Sequence, residues 1–239
     1  MATALVLSAG GLYGAWEVGV WNGIHEAVRP AMVLGASAGA WIGWAIAGGA
    51  TTEELLEEWR DPRIGRILQF GPHRSGFLRP QPLYAKAREL FERFRPRVPF
   101  AMPLVEVPSL RVRLVREYEV TWQHLAAAAS IPTAYPPVPI DGKLYLDGGL
   151  RSSLPLWAAE EMGATEAIAV NCLTAWPFRA LRAVVRPRLP SPRLRVTRIE
   201  PSEPLGSLRD ALVWSPANIE RWIALGERDA NRVMSSVRM

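Results

Sequence analysis

The chain has 239 residues, 49% of them hydrophobic, and a formal net charge of +5. This composition supports a packed core, whereas no apolar run reaches the roughly 18 residues that a membrane-spanning helix needs. Cys172 is the only cysteine, which excludes an internal disulfide, and its apolar neighbours predict a buried thiol.

The positive charge comes almost entirely from arginine, since lysine occurs only at positions 86 and 143. A positive surface attracts anionic lipid, which makes a transient contact with an anionic membrane surface a candidate interaction. The arginines of residues 179–198 alternate with prolines rather than with stacking aromatic residues, so we expect no nucleic-acid binding. The first residues lack the basic segment of a secretory signal, and we expect a cytoplasmic location, peripheral to the membrane.

The first fifty residues predict a strand and a helix, twice over. Residues 3–8 form an apolar run that indicates a buried strand, and residues 15–28 place apolar side chains at helical spacing. Residues 32–34 and 38–47 repeat the pattern, with a second helix that is apolar nearly all round. Because a glycine-containing turn joins strand to helix each time, we predict a parallel sheet with crossover helices.

The next segment interrupts this alternation. Thr51 and Glu54 form a capping signal for a polar helix that reaches about Trp59. Residues 60–109 are rich in proline and glycine and contain one clear helical pattern, at 82–94. We predict that residues 60–109 form a less regular insertion, a lid over one end of the sheet. A loosely connected flank is the alternative.

The second half of the chain returns to short strands and helices. Asp141-Gly142 between two apolar runs is a hairpin signal, and Gly163 is placed to cap the C-terminus of a helix. No repeat or linker divides the chain, so we expect residues 1–239 to form a single domain. The predicted strands are 110–116, 138–140, 144–146, 166–171 and 194–199, and the predicted helices are 122–130, 156–162 and 218–234.

The stretch Gly35-Ala36-Ser37-Ala38-Gly39 matches the G-x-S-x-G pattern of a nucleophile elbow. Such a turn lifts a serine hydroxyl clear of the sheet and places it at a helix N-terminus, where the helix dipole favours developing negative charge. Larger side chains at the two glycines would collide with the adjacent strand and helix. A turn of small residues that serves only close packing is the alternative interpretation.

A second glycine turn, Gly10-Gly11-Leu12-Tyr13-Gly14, follows the first predicted strand. It lacks the G-x-G start of a dinucleotide-binding loop, and no acidic residue follows the second strand where a ribose would bind. We interpret the turn as an oxyanion hole, in which the N–H groups of Gly10, Gly11 and Leu12 bind the negative oxygen of a tetrahedral intermediate. A tight turn needed only for packing is again the alternative.

No histidine is well placed to activate Ser37 as the base of a conventional triad, because none follows a late strand. We expect a packed or surface role for the histidine in the first helix and a solvent-facing position for the one that opens the helix at 122–130. The three histidines are His25, His73 and His124.

Asp147 is the candidate base instead. It ends an apolar strand and enters a turn formed with Gly148 and Gly149, which let an acidic side chain approach another part of the backbone closely. An ordinary Asp-Gly turn is the alternative.

Taken together, these segments resemble the patatin-like phospholipases. The family's marks occur in order, as the glycine turn at 10–14, the elbow at 35–39 and the Asp-Gly-Gly turn at 147–149. The flanks are similar as well, at residues 129–138 before the aspartate and in the tail at 226–230.

The resemblance implies a three-layer α/β/α sandwich with a mostly parallel central sheet. It also implies a Ser–Asp dyad, in which Ser37 attacks an ester carbonyl and Asp147 acts as general base, with no cofactor and no metal. The implied substrates are phospholipids, lysophospholipids or related acyl esters. A non-catalytic lipid-binding or membrane-associated module on the same fold is the alternative.

The sequence departs from the family pattern at Tyr13, where an arginine or lysine is usual, and at Ala9, where a further glycine is usual. These differences concern substrate preference more than chemistry. Several aromatic residues are candidates to line an acyl channel or a membrane-facing rim, with core packing as the alternative: Trp41, Trp44, Trp157, Trp176 and Phe178.

Overall fold

The computed structural model describes residues 2–73, 76–174 and 188–237, without the side chains of residues 72, 73 and 237. Trp176 and Phe178 lie outside the described residues. The strands are β1 (Thr3–Leu7), β2 (Met32–Gly35), β3 (Phe70–His73), β4 (Gly76–Leu78), β5 (Phe100–Val107), β6 (Arg111–Arg116), β7 (Val138–Ile140), β8 (Lys143–Asp147), β9 (Glu166–Val170) and β10 (Arg195–Ile199). The helices are α1 (Gly14–Ile24), α2 (Ala38–Ala47), α3 (Thr52–Arg60), α4 (Arg63–Arg66), α5 (Pro80–Arg93), α6 (Trp122–Ala128), α7 (Leu156–Glu161) and α8 (Pro216–Val237).

The main sheet has the strand order β10-β9-β1-β2-β5-β8-β7, with β6 also paired to β5. The strands from β10 to β5 run parallel to one another, whereas β6, β8 and β7 pair in antiparallel fashion. The N-terminal strand β1 lies in the middle, between β9 and β2. This places the turns after β1 and β2 side by side at one edge of the sheet.

Helices cover both faces of the sheet, and β1 shows how it separates the layers. Leu5 and Leu7 belong to a large core that includes α1, α2 and α8. Ala4 and Val6 alternate with them and belong to a smaller core on the other face, packed against α7. The predicted three-layer α/β/α sandwich with a mostly parallel sheet is therefore confirmed.

The prediction that an insertion extends to residue 109 is wrong, because residues 100–107 form β5 inside the main sheet. Pro103 obscured this strand, since a proline argues against a central strand. Pro103 is tolerated because β5 pairs with β2 through Phe100 and Ala101, and with β8 only from Leu104 onward. Pro103 lies between these two stretches of pairing, where neither β2 nor β8 is opposite it on that edge. The segment before it contains α4, the β3–β4 hairpin and α5.

Two local signals act as predicted. At the start of α3, the Glu54 N–H donates to the Thr51 hydroxyl at 3.1 Å and the Thr51 N–H donates to the Glu54 carboxylate at 2.9 Å. Asp141 and Gly142 have φ values of 49° and 76°, the left-handed pair of a type I′ hairpin turn. Among the described residues, no helix combines the length and apolar character needed to cross a bilayer.

Candidate active site

Ser37 occupies the turn between β2 and α2, at the N-terminus of α2. Its φ of 54° and ψ of −124° are values that residues with side chains rarely adopt. Neither neighbouring glycine has room for a side chain. A Cβ atom on Gly35 would lie 2.0 Å from the Gly39 carbonyl oxygen, and one on Gly39 would lie 2.5 Å from the Ser8 carbonyl oxygen. The backbone is therefore held in the strained turn that the G-x-S-x-G pattern predicts.

The sheet brings Asp147 to this turn. Because β6 occupies one edge of β5, β2 and β8 must share the other edge in succession, with Leu34 opposite Ala101 and Asp147 opposite Leu104. The two strands run in opposite directions along that edge, so their C-terminal ends meet head to head. Ser37 and Asp147 are the side chains that follow and end these strands.

The Asp147 carboxyl group is almost fully buried. It accepts a hydrogen bond from the Gly149 N–H at 2.7 Å. Burial raises the pKa of Asp147 from 3.8 to about 6, and the nearby Ser37 hydroxyl and the Gly149 N–H oppose that rise. The group is thus a stronger base than an ordinary carboxylate while remaining largely ionised at neutral pH.

Gly149 marks the point where the two predicted residues converge. A Cβ atom at this position would lie 3.0 Å from Asp147 Oδ1 and 3.5 Å from Ser37 Cβ. No hydrogen bond of normal geometry joins the Ser37 hydroxyl to the Asp147 carboxylate. Catalytic hydrogen bonds are often long without substrate and shorten when it binds.

The other predicted motif glycines have packing roles near the site. A Cβ atom on Gly148 would lie 2.1 Å from the Pro103 carbonyl oxygen, and one on Gly14 would lie 2.3 Å from the Trp59 ring. Gly148 therefore lets the Asp147 turn lie directly on β5, and Gly14 lets α1 begin against α3.

The glycine turn after β1 offers fewer free donors than predicted. The Leu12 N–H already donates to the Ala211 carbonyl at 2.9 Å, so the prediction that it contributes to an oxyanion hole is wrong for this structure. The N–H groups of Gly10 and Gly11 have no acceptor within the described ranges. The same holds for the N–H of Ala38, the residue after Ser37, which supplies an oxyanion donor in nucleophile-elbow enzymes. The position of Ala38 directly after the elbow serine is the sequence signal for this donor.

Tyr13 and Ala9, the two departures from the family pattern, connect the glycine turn at residues 10–14 to other parts of the chain. The Tyr13 hydroxyl donates to the Ser207 carbonyl at 2.6 Å, and its ring packs edge-on against Trp222. The Ala9 N–H donates to the Ser153 carbonyl at 2.7 Å. Tyr13 thus binds the turn to the loop that precedes α8, a contact between segments far apart in sequence.

A buried polar cluster lies behind the same turn. The Ser8 N–H and hydroxyl both donate to Glu17 Oε1, at 2.9 and 2.7 Å, and the Cys172 N–H donates to the Ser8 hydroxyl at 3.0 Å. Glu17 Oε2 has no hydrogen-bond partner among the described residues. Burial raises the pKa of Glu17 from 4.5 to about 8, so this side chain is mainly a neutral acid at pH 7. The thiol is buried, as predicted.

An apolar cavity opens beside Ser37. Its volume of about 50 Å³ holds a few water molecules. Of the aromatic residues considered as an acyl channel, Trp41 lines this cavity, whereas Trp44 and Trp157 pack in the cores on opposite faces of the sheet. The remaining lining residues are Gly11, Leu12, Ala38, Trp59, Ile64, Ile67, Leu68, Ala129 and Ile131.

The histidines take structural positions where they are described. His25 is half-buried and contacts the Asn22 carbonyl with its ring. The prediction that His124 faces solvent is wrong, because its ring is buried and its Nδ1 accepts from the Thr121 N–H at 3.2 Å. His73 has no described side chain. Across the described ranges, no three His, Cys, Asp or Glu residues cluster in a way that could hold a metal ion.

The arrangement has the parts that acyl transfer needs. A hydroxyl lies in a strained turn, a buried carboxyl group lies beside it, free amides line the same turn region, and an apolar cavity adjoins the hydroxyl. Nothing in the set depends on an imidazole.

Comparison with known proteins agrees with this picture. A family model described as patatin-like phospholipase matches residues 5–160, which include Ser37 and Asp147. The patatin-like phospholipase domain-containing protein 7 of Rattus norvegicus is 27% identical over 185 residues, covering 71% of this chain and 13% of that protein. An uncharacterised NTE family protein of Mycobacterium bovis is 26% identical over 189 residues, covering 74% of this chain and 51% of that protein. The chain therefore spans no more than about half the length of these relatives.

A solved structure shares the fold. VipD from Legionella pneumophila aligns with a TM-score of 0.57 and 12% sequence identity, over 98% of this chain and 67% of that one. The likeness at this identity concerns the fold alone. Because the family model covers well over half of the sequence, the chain belongs to the patatin-like phospholipase family.

Proposed function

We propose that the protein is a serine hydrolase that cleaves carboxylic ester bonds of phospholipids, lysophospholipids or related lipids. The observation that carries this proposal is the meeting of two strand ends, which puts a strained Ser37 beside the buried Asp147. The family membership supports a lipid substrate. The mainly apolar lining of the cavity supports an acyl chain as the group that enters it.

In the first half of the reaction, Ser37 Oγ attacks the ester carbonyl carbon while its proton passes to Asp147. The negative oxygen that forms is bound by the N–H groups of Gly10, Gly11 and Ala38. The intermediate collapses when the C–O bond to the alcohol breaks, and Asp147 returns the proton to that leaving oxygen. The acyl group then remains on Ser37 as an ester.

In the second half, Asp147 takes a proton from a water molecule that attacks the acyl-enzyme. The tetrahedral intermediate expels Ser37 Oγ, which recovers its proton from Asp147, and the fatty acid leaves. The raised pKa of Asp147 suits both directions of this proton transfer, because a base with a pKa near the working pH can also act as an acid. We further propose that the protein is located in the cytoplasm. It would encounter its substrate at a membrane surface.

A fluorophosphonate probe, together with p-nitrophenyl esters and phospholipid substrates, tests the proposal. Wild type should be labelled and should hydrolyse esters, and Ser37→Ala should do neither. Asp147→Asn should fold normally and lose about 10³-fold in kcat/KM. Ser109→Ala is the matched control, because Ser109 is exposed on the turn after β5 and should not affect labelling.

The alternative, a non-catalytic lipid-binding module, predicts a different result. Such a protein would bind lipid without labelling at Ser37 and without ester turnover. Labelling that persists in Ser37→Ala would also contradict the proposed nucleophile.

A further inference from the structure

We propose that the protein docks on an anionic lipid surface through an apolar rim around the Ser37 cavity. This inference rests on the proposed function, for which it names the surface that meets the substrate. The apolar rim consists of Phe70, Phe77, Leu150, Leu208, Leu212 and Val213.

The rim consists of exposed apolar side chains, and soluble proteins rarely expose such side chains in large contiguous patches. It contains six of the eleven large hydrophobic side chains that are exposed in the described part of the chain. Phe70 is 69% exposed and Leu208 is 52% exposed. Side chains that are already this exposed can enter a bilayer interface without first leaving the protein core.

Three segments bring these side chains to the cavity. Phe70 opens the β3–β4 hairpin two residues after Leu68, which lines the cavity. The Phe77 N–H donates to the Ala134 carbonyl, and the Ala134 N–H donates in turn to the carbonyl of Ile131, another lining residue. Leu150 ends the short turn that begins after Asp147.

Leu208, Leu212 and Val213 belong to the loop before α8. That loop contacts the cavity wall twice, through the Ala211 carbonyl that accepts from Leu12 and through Trp214, which packs at Gly65 on α4.

The charge around the rim matches an anionic surface. Arg66, Arg79, Arg151 and Arg209 are exposed, and none forms an ion pair with a described carboxylate. The acidic residue of the loop, Asp210, accepts hydrogen bonds from the Ser207 N–H and hydroxyl. Asp61 on the neighbouring turn is paired with Arg63. These hydrogen bonds keep Asp210 ionised, so four unpaired arginines stand against one unpaired carboxylate, and this positive excess suits phosphate-bearing head groups.

A lipid surface fits this face better than a second copy of the chain. A two-fold dimer through the rim would bring the same unpaired arginines of both copies together. A bilayer instead offers acyl chains for the rim and anionic head groups for the arginines. It also presents the ester directly to the cavity mouth.

Vesicle sedimentation tests the inference. The full chain carrying Ser37→Ala is mixed with vesicles of phosphatidylcholine alone or of phosphatidylcholine with phosphatidylglycerol, so that lipid is not consumed. We expect binding to the anionic vesicles. Phe70→Ser with Phe77→Ser should weaken it at least tenfold, since even partial burial of one Phe ring contributes about that factor. Arg79→Glu should weaken binding to anionic vesicles selectively.

Two controls match these variants. Tyr118 is 75% exposed but lies after β6, outside the rim. Adding Tyr118→Ser to the Ser37→Ala protein should therefore leave vesicle binding unchanged. Arg111 is exposed on β6, and Arg111→Glu should likewise have little effect. With Ser37 intact, the Phe70→Ser/Phe77→Ser variant should hydrolyse a short water-soluble ester at the wild-type rate, because neither phenylalanine lines the cavity beside Ser37.

The outcomes separate this inference from the proposed function. Equal vesicle binding by rim and control variants, or a rim variant that only converts a dimer to a monomer in sedimentation velocity, would overturn the docking surface. Hydrolysis of soluble esters with no vesicle binding would overturn it too, while leaving the hydrolase intact. Rim-dependent binding without any ester hydrolysis would support the docking surface and refute the proposed enzyme.

Discussion

Asp147 should set the pH dependence of ester hydrolysis. Burial raises its pKa to about 6, and a general base must be ionised to accept the proton of Ser37. With that pKa, about one tenth of the groups are ionised at pH 5 and about nine tenths at pH 7. The kcat/KM for a soluble ester should therefore be about tenfold higher at pH 7 than at pH 5, and should level off above that.

The assay follows initial rates of p-nitrophenyl butyrate hydrolysis at the isosbestic wavelength of nitrophenol, between about pH 5 and pH 8. Circular dichroism at each pH checks that the chain stays folded. A histidine control is needed as well, because burial lowers the pKa of the His124 imidazole from its usual value of 6.5. His124→Gln should leave the inflection where it is, whereas Asp147→Asn should abolish it along with most of the rate.

Two results would refute this reasoning. A flat wild-type profile between pH 5 and pH 7 would mean that the carboxyl group is not the base, or that its pKa is not raised. Loss of the inflection in His124→Gln, with Asp147→Asn still active, would place an imidazole in the mechanism.

Three further predictions concern stability. Gly39→Ala should cost about 2–4 kcal/mol and abolish activity, because its Cβ would lie 2.5 Å from the Ser8 carbonyl oxygen. Gly43→Ala, in the same helix, should cost far less, since its nearest neighbour is a side-chain tip at 3.1 Å; equal losses in urea unfolding would contradict the packing argument. Ser37→Gly should be about 1 kcal/mol more stable than Ser37→Ala, because glycine tolerates the φ of 54° without strain, and equal midpoints would count against a strained turn. The folded chain keeps a proton on Glu17 that the unfolded chain releases, because burial raises the pKa from 4.5 to about 8. Relative to Glu17→Gln, the wild-type free energy of unfolding should therefore fall by about 1.4 kcal/mol per pH unit as the pH rises from 4.5 to about 8. If the free energies of the two proteins instead changed in parallel with pH, the buried neutral acid would be refuted.

The elements around Ser37 could be predicted from sequence because their causes are local. The apolar residues 38–47 and the glycines on either side of Ser37 suffice to define a helix after a tight turn, and the structure places α2 at those residues. The hairpin at Asp141-Gly142 is equally local, since both residues need positive φ. Short-range periodicity and turn chemistry carried these assignments.

The failures all involve contacts that sequence spacing does not reveal. Pro103 argued against a strand, and only the succession of β2 and β8 along one edge explains why it is accommodated. The Leu12 N–H was predicted to be a free donor, but it donates to the Ala211 carbonyl. His124 opens a helix, where an exposed side chain is expected, yet α6 packs against the sheet and buries it. In each case a partner distant in sequence decided the outcome.

The loop before α8 acts on the turn beside Ser37 from a distant part of the chain. Tyr13 and Leu12 are tied to Ser207 and Ala211, which lie beyond the region shared with the family model. A change in that loop can shift the amides near Ser37 without altering Ser37 or Asp147. Under the proposed function, variation in this loop can thus change the rate while the proposed nucleophile and base stay constant.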